Sequence, residues 1–132
     1  AGTVAFTDRL GKPRAVALGL GISAAGFLVI ALLGADVVPG LIGLVLGIGG
    51  FEFGFVSSIS LGTELQPAAR ITFLSRYVVA QAAGRASAAL LALGLFRAFG
   101  MAVVATAAAV VAIAAALVIL AALRDHETAA TP

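Results

Sequence analysis

The chain has 132 residues, of which 62% are hydrophobic and 11% charged, and its mean hydropathy is +1.19. A water-soluble domain, which carries about 25% charged residues to cover its surface, is excluded; the expected solvent is hydrocarbon. The net charge of +2 does not describe a nucleic-acid binder, because the basic residues punctuate apolar runs rather than clustering with aromatics, and the absence of cysteine removes disulfides and thiolate metal sites.

Residues 1–14 read as the end of a preceding helix, Ala1 to Thr7, followed by a charged loop, Asp8-Arg9-Leu10-Gly11-Lys12-Pro13-Arg14. The apolar stretch after this loop is too long for a signal core and has no clear cleavage site. Four segments then reach the ~20 residues needed to cross hydrocarbon. They run over about 15–34, 37–63, 72–96 and 99–123, and a tail follows over 124–132. Lipid does not satisfy an open strand edge, so each span is expected to be a helix. A β-barrel is excluded because runs such as Ala107 to Leu123 lack alternating polar residues. The fold class is therefore an all-α polytopic membrane protein with four transmembrane helices.

The connections are short: Ala35-Asp36, then Glu64 to Ile71, then Arg97-Ala98. Short connections make antiparallel neighbours, so successive loops alternate sides. One side holds Arg9, Lys12, Arg14, Arg70, Arg76 and Arg124, while the other holds Arg97. Lys and Arg are retained on the cytoplasmic side, which predicts that the first loop, the central loop and the carboxy terminus are cytoplasmic.

Along the second span Gly40, Gly43, Gly47, Gly50 and Gly54 recur at alternating steps of three and four and form one stripe. Gly19, Ser23 and Gly26 make a shorter stripe on the first span, and Ala80, Gly84 and Ala88 one on the third. Small residues let helix backbones approach closely in lipid, so these stripes are expected to serve helix packing, or to let the second span bend or slide. Pro39 falls in the first turn of its helix, where its missing N–H costs nothing.

The first and fourth spans carry no ionisable residue in their interiors. Glu52 lies in the second, near Ser57, Ser58 and Ser60, and Arg85 lies in the third with Gln81 and Ser87. Charges at membrane depth cost from about 2.5 kcal/mol upward and face protein or a water-filled cavity. This predicts that the second and third spans line a cavity while the first and fourth face lipid. Counted at ~1.5 Å per residue, Glu52 and Arg85 both lie roughly 18 to 20 Å from the central loop. Tyr77, Gln81 and Arg85 share one helix face, being four apart. Three arrangements remain open on these residues: a structural ion pair, a functional pair in which Glu52 takes a proton or cation while Arg85 holds an anionic group, or separate partners.

Two loop elements resemble the major facilitator superfamily of twelve-helix secondary transporters. Asp8, Arg9, Gly11, Lys12 and Arg14 look like that family's acidic–basic–x–Gly–basic loop. Glu64, Pro67 and Arg70 look like its Glu–x–x–Pro…Arg element. The family's glycine ahead of the acid is Val4 here, and the one after the arginine is Ile71. The order of loop, apolar span, Gly-rich span, Pro–Arg loop, polar span and apolar span is similar to helices nine to twelve. The resemblance implies an incomplete carboxy-terminal portion of a major facilitator bundle, in which the tenth and eleventh helices line the cavity.

The expected function is alternating-access transport of a small solute, coupled to protons or another gradient, with Glu52, Arg85, Gln81 and Ser60 as candidate binding residues. Expected partners are the lipid bilayer, the remaining helices of the same transporter and the solute, with no nucleic acid, no cofactor and no metal. The expected location is the cell (inner) membrane. The alternative is a self-contained small membrane protein that oligomerises through its glycine stripes as a scaffold or minimal transporter. An enzyme is not expected, since the one histidine, His126, lies in the tail and no nucleophile–base set is present.

Overall fold

A computed structural model describes residues 12–65 and 67–129, with side chains over 13–64 and 67–121. Four helices follow one another: α1 (Lys12–Leu33), α2 (Val37–Leu65), α3 (Arg70–Phe99) and α4 (Met101–Ala129), with a 3-10 turn at Pro67–Ala69. Each is long and apolar enough to span a membrane, over Pro13–Leu33, Val37–Glu64, Pro67–Phe99 (which includes the 3-10 turn) and Met101–Ala121. The protein is an all-α integral membrane protein.

Local chemistry places the breaks. Gly34 donates its N–H to the Ile30 carbonyl and Asp36 donates to Leu33, closing the end of α1. Gly40 donates to the Asp36 carbonyl, so α2 begins in the same turn, and Pro39 sits where no intrahelical N–H is needed. Pro67 stops α2 and opens the 3-10 turn. The α3–α4 break falls at Gly100 rather than at Arg97-Ala98, and Arg97 lies in the last turn of α3. Gly100 has φ 82° and ψ −179°, a region open essentially to glycine alone, and its N–H reaches the Phe96 carbonyl.

Helix α1 lies between α2 and α4 and packs extensively along both. Its contact with α2 is backbone against backbone. A Cβ added at Gly26 would stand 2.3 Å from the Gly47 nitrogen, and one at Gly19 would stand 2.5 Å from the Gly54 nitrogen. Facing them, a Cβ at Gly43 would meet the Gly26 carbonyl at 2.8 Å, and one at Gly50 the Ser23 nitrogen at 2.5 Å. Gly40 adjoins Gly34, Gly47 carries the Phe27 ring, and Gly54 lies against Leu20 and Val16. The stripes predicted on the first two spans thus meet each other. Helix α4 buries Ala105, Ala109 and Ala112, again small residues at helical spacing.

Enclosure within the bundle does not follow the polarity of the spans. Helix α1 is the most enclosed of the four, with Ala15, Val16, Ser23, Ala24 and Ile30 buried, whereas α3 buries none of its residues. The physical reason is that side-chain size, not polarity, governs packing between these helices. The outer faces of α1 and α4 still present Leu18, Leu28, Val110 and Val118 outward.

Candidate functional site

Helix α3 meets α2 along a narrow seam built from residues four apart. Phe73, Tyr77, Gln81 and Arg85 follow one another along α3 four residues apart, slightly more than one turn of about 3.6 residues, so they form a slowly winding row. Opposite them, α2 offers Gly62, Ser58, Phe55, Phe51 and Glu52. At the loop end the Phe73 ring lies directly over Gly62, where a Cβ would collide with it.

One turn deeper, Ser58 and Tyr77 join their hydroxyls in a hydrogen bond. Ser58 Oγ also donates to the Phe55 carbonyl at 2.7 Å. Since Ser58 has one proton to give, Tyr77 is the donor of the shared bond. Aromatic rings line the seam. Phe73 stacks with Tyr77 at 5.8 Å between centroids, Tyr77 with Phe55 at 5.6 Å, and Phe55 with Phe51 at 6.4 Å.

The row ends on the two charges. Arg85 Nη2 donates to Glu52 Oε1 at 3.2 Å, and the Arg85 guanidinium lies 6.0 Å from the centre of the Phe51 ring. The two side chains are in direct contact, which sets aside the reading of separate partners and leaves a structural and a functional pair both open. The contact uses a single nitrogen and a single oxygen, and the side chains remain 63% and 49% exposed respectively. Gln81 lies one turn from Arg85 on the same row, half-buried, and makes no hydrogen bond among the described residues. No three His, Cys, Asp or Glu side chains converge among the described residues.

Ser60 does not join this group. Its hydroxyl points back to the Val56 carbonyl of its own helix at 3.4 Å, about 12 Å along the axis from Glu52. The residues that sequence reasoning passed over are Phe51, Phe55, Phe73 and Tyr77 as a stacked set. The available signal was the extension of the Tyr77, Gln81, Arg85 spacing back to Phe73.

The loop residues occupy one end of the bundle. Glu64 lies at the end of α2, Pro67 opens the 3-10 turn and Arg70 is the first residue of α3. A cation at a helix N-terminus opposes the helix dipole, so Arg70 is not there to stabilise α3. Arg14, at the start of α1, belongs to the same end. Asp8, Arg9 and Gly11 lie outside the described residues, as does the side chain of Lys12. No family model, curated protein or solved structure matches this chain.

Proposed function

We propose that the chain is the carboxy-terminal part of a secondary transporter of the major facilitator type, in which α2 and α3 present Glu52, Arg85 and Gln81 to a small solute. The observation that carries this reading is the openness of the Glu52–Arg85 pair. Two charges, roughly 18 to 20 Å from the central loop by residue count, are joined by one contact and remain about half-exposed or more. A pair whose only task is to hold two helices together repays its desolvation only when its remaining donors and acceptors are also hydrogen-bonded; this one keeps donors and acceptors free among the described residues. Midplane sites of this kind are what alternating-access carriers use.

In this reading the remaining helices of the same transporter close the cavity, and protons are the natural coupling ion for Glu52. The end of the bundle that holds Arg14, Arg70 and Arg76 is cytoplasmic, in the inner membrane, as is the carboxy terminus. The activity is transport and not catalysis.

A second reading, oligomerisation as a scaffold, draws on the Ala80, Gly84 and Ala88 stripe. All three are exposed, and a Cβ at Gly84 would meet nothing within 4 Å. The glycine stripes of α1 and α2 are already occupied by each other, so α3 is the helix left to this reading.

The deciding experiment places the full-length protein in proteoliposomes containing a pH-sensitive dye and screens a panel of small metabolites. Solute-dependent proton movement is expected, lost in Glu52→Gln and Arg85→Ala but kept in Gly21→Ala. Equal flux in all variants, or none with any solute, would overturn the transport reading.

A further inference from the structure

We infer that the Glu52–Arg85 site takes an amphipathic organic anion, an apolar or aromatic body bearing one carboxylate or sulfonate, and binds one proton with it. The inference rests on the transport reading for its biological setting, but its chemistry stands on the pair itself.

The argument begins with an asymmetry between the two charges. A guanidinium does not give up its proton in a protein, whereas a carboxylate readily accepts one. An incoming cation that took Glu52 would leave Arg85 charged and unpaired in a low-dielectric site, at a large penalty. An incoming anion that takes Arg85 displaces Glu52, and Glu52 then sheds its charge by accepting a proton from the bulk buffered solution. The site holds one positive and one negative charge before the exchange. Afterwards it holds Arg85, the anion and a neutral Glu52 carboxyl, so the sum is unchanged. Exchange for an anion is therefore the neutral route.

The surroundings of Arg85 fit that ligand. The guanidinium spends one of its donors on Glu52, and among the described residues the others have no partner, which leaves them for a bidentate anion. Its exposure exceeds that of the carboxylate. The Gln81 amide, without a partner among the described residues, supplies a further N–H on the same helix face. The Phe51 ring, itself exposed, adjoins the guanidinium and continues through Phe55 to Tyr77, giving an apolar wall beside the charge. No other ionisable group interferes at this depth: α1 between Ala15 and Leu33 and α4 up to Ala121 carry none. On α3 Tyr77 is held by Ser58, and Arg70, Arg76 and Arg97 lie towards the helix ends.

The test uses the full-length protein in detergent, titrated calorimetrically with 2-naphthalenesulfonate. This probe is permanently ionised, so any proton taken up belongs to the protein. Titration in two buffers of different ionisation enthalpy counts the protons. Binding with close to one proton per anion is expected, with little binding of methanesulfonate or of the matched naphthylmethyl-trimethylammonium cation. Glu52→Gln should bind the sulfonate at least as tightly with no proton uptake. Arg85→Ala should bind at least tenfold more weakly, and Arg85→Lys, which keeps the charge and guards against misfolding, should also lose affinity. Preference for the ammonium probe, sulfonate binding without a proton in the unaltered protein, or loss of binding in Glu52→Gln would each overturn the inference. Sulfonate binding with its proton but no flux in vesicles retires the transport reading and leaves the anion site standing. Pair-dependent flux of other solutes with no sulfonate binding does the reverse.

Discussion

The hydroxyl of Ser23 donates to the carbonyl oxygen of Gly47 at 2.8 Å, crossing from α1 to α2 where both residues are buried. Gly47 has no side chain, so α1 comes close enough for a short serine to reach the opposite backbone. The carbonyl has a second lone pair and keeps its own helical bond. Ser23→Ala therefore removes one interhelical bond without stranding an acceptor. Such bonds are worth about 0.6 kcal/mol on average in membrane proteins, so a small drop in the thermal midpoint is expected by circular dichroism in detergent. A drop as large as that from a core truncation would mean that Ser23 does more than bridge.

The glycines of α2 divide by what faces them. A Cβ on Gly50 would meet the backbone of Ser23 and Gly19 at 2.5 and 2.7 Å, atoms that move only if the helices part. Overpacking of that kind typically costs 1–3 kcal/mol, about the scale expected for Gly50→Ala. Gly49, its neighbour, faces nothing within 4 Å. Gly49→Ala should be neutral or should gain up to about 1 kcal/mol from helix propensity. Parallel melting curves decide it: equal losses for the two variants would disprove the α1–α2 packing described here.

These 132 residues carry no cysteine, so one introduced among them on a background with any other cysteines replaced tests the proposed orientation directly. A single cysteine at Asp36 should react with an impermeant maleimide added outside intact cells. One at Ala68, beside the arginine-rich end, should react only after the membrane is opened. The opposite pattern would invert the topology and place the Arg70 end outside.

Much of the fold was legible because hydrocarbon thickness leaves few choices. Long apolar runs separated by Asp36 and by Pro67 had to be helices, and counting outward from one shared loop put Glu52 and Arg85 at one depth. Their contact was not legible, because each residue turns a helix by about 100° and depth says nothing of rotation. The central place of α1 was hidden for a different reason. Its polarity is unremarkable beside that of α3, and what encloses it is the smallness of Gly19, Ser23 and Gly26, which matters only once a facing stripe is known to meet them. The α3–α4 turn was displaced from Arg97 to Gly100 because arginine is tolerated in a last helical turn, while the backbone angles of the turn demand glycine. Ser60 looked like a cavity residue by composition, and its back-bond to Val56 shows how a serine in a helix satisfies itself locally.

The Glu52–Arg85 pair also bears on how the chain enters the bilayer during synthesis. Glu52 emerges 33 residues ahead of Arg85. By itself α3 must carry an arginine into hydrocarbon, at a cost of about 2.5–3.5 kcal/mol on insertion scales, and none of its residues is fully buried against its neighbours. With α2 already in the membrane, a carboxylate waits at the matching depth. The earlier helix thus acts as the receiving counter-charge for the later one, and deletion of α2 should strand α3 at the membrane surface more often than deletion of α4.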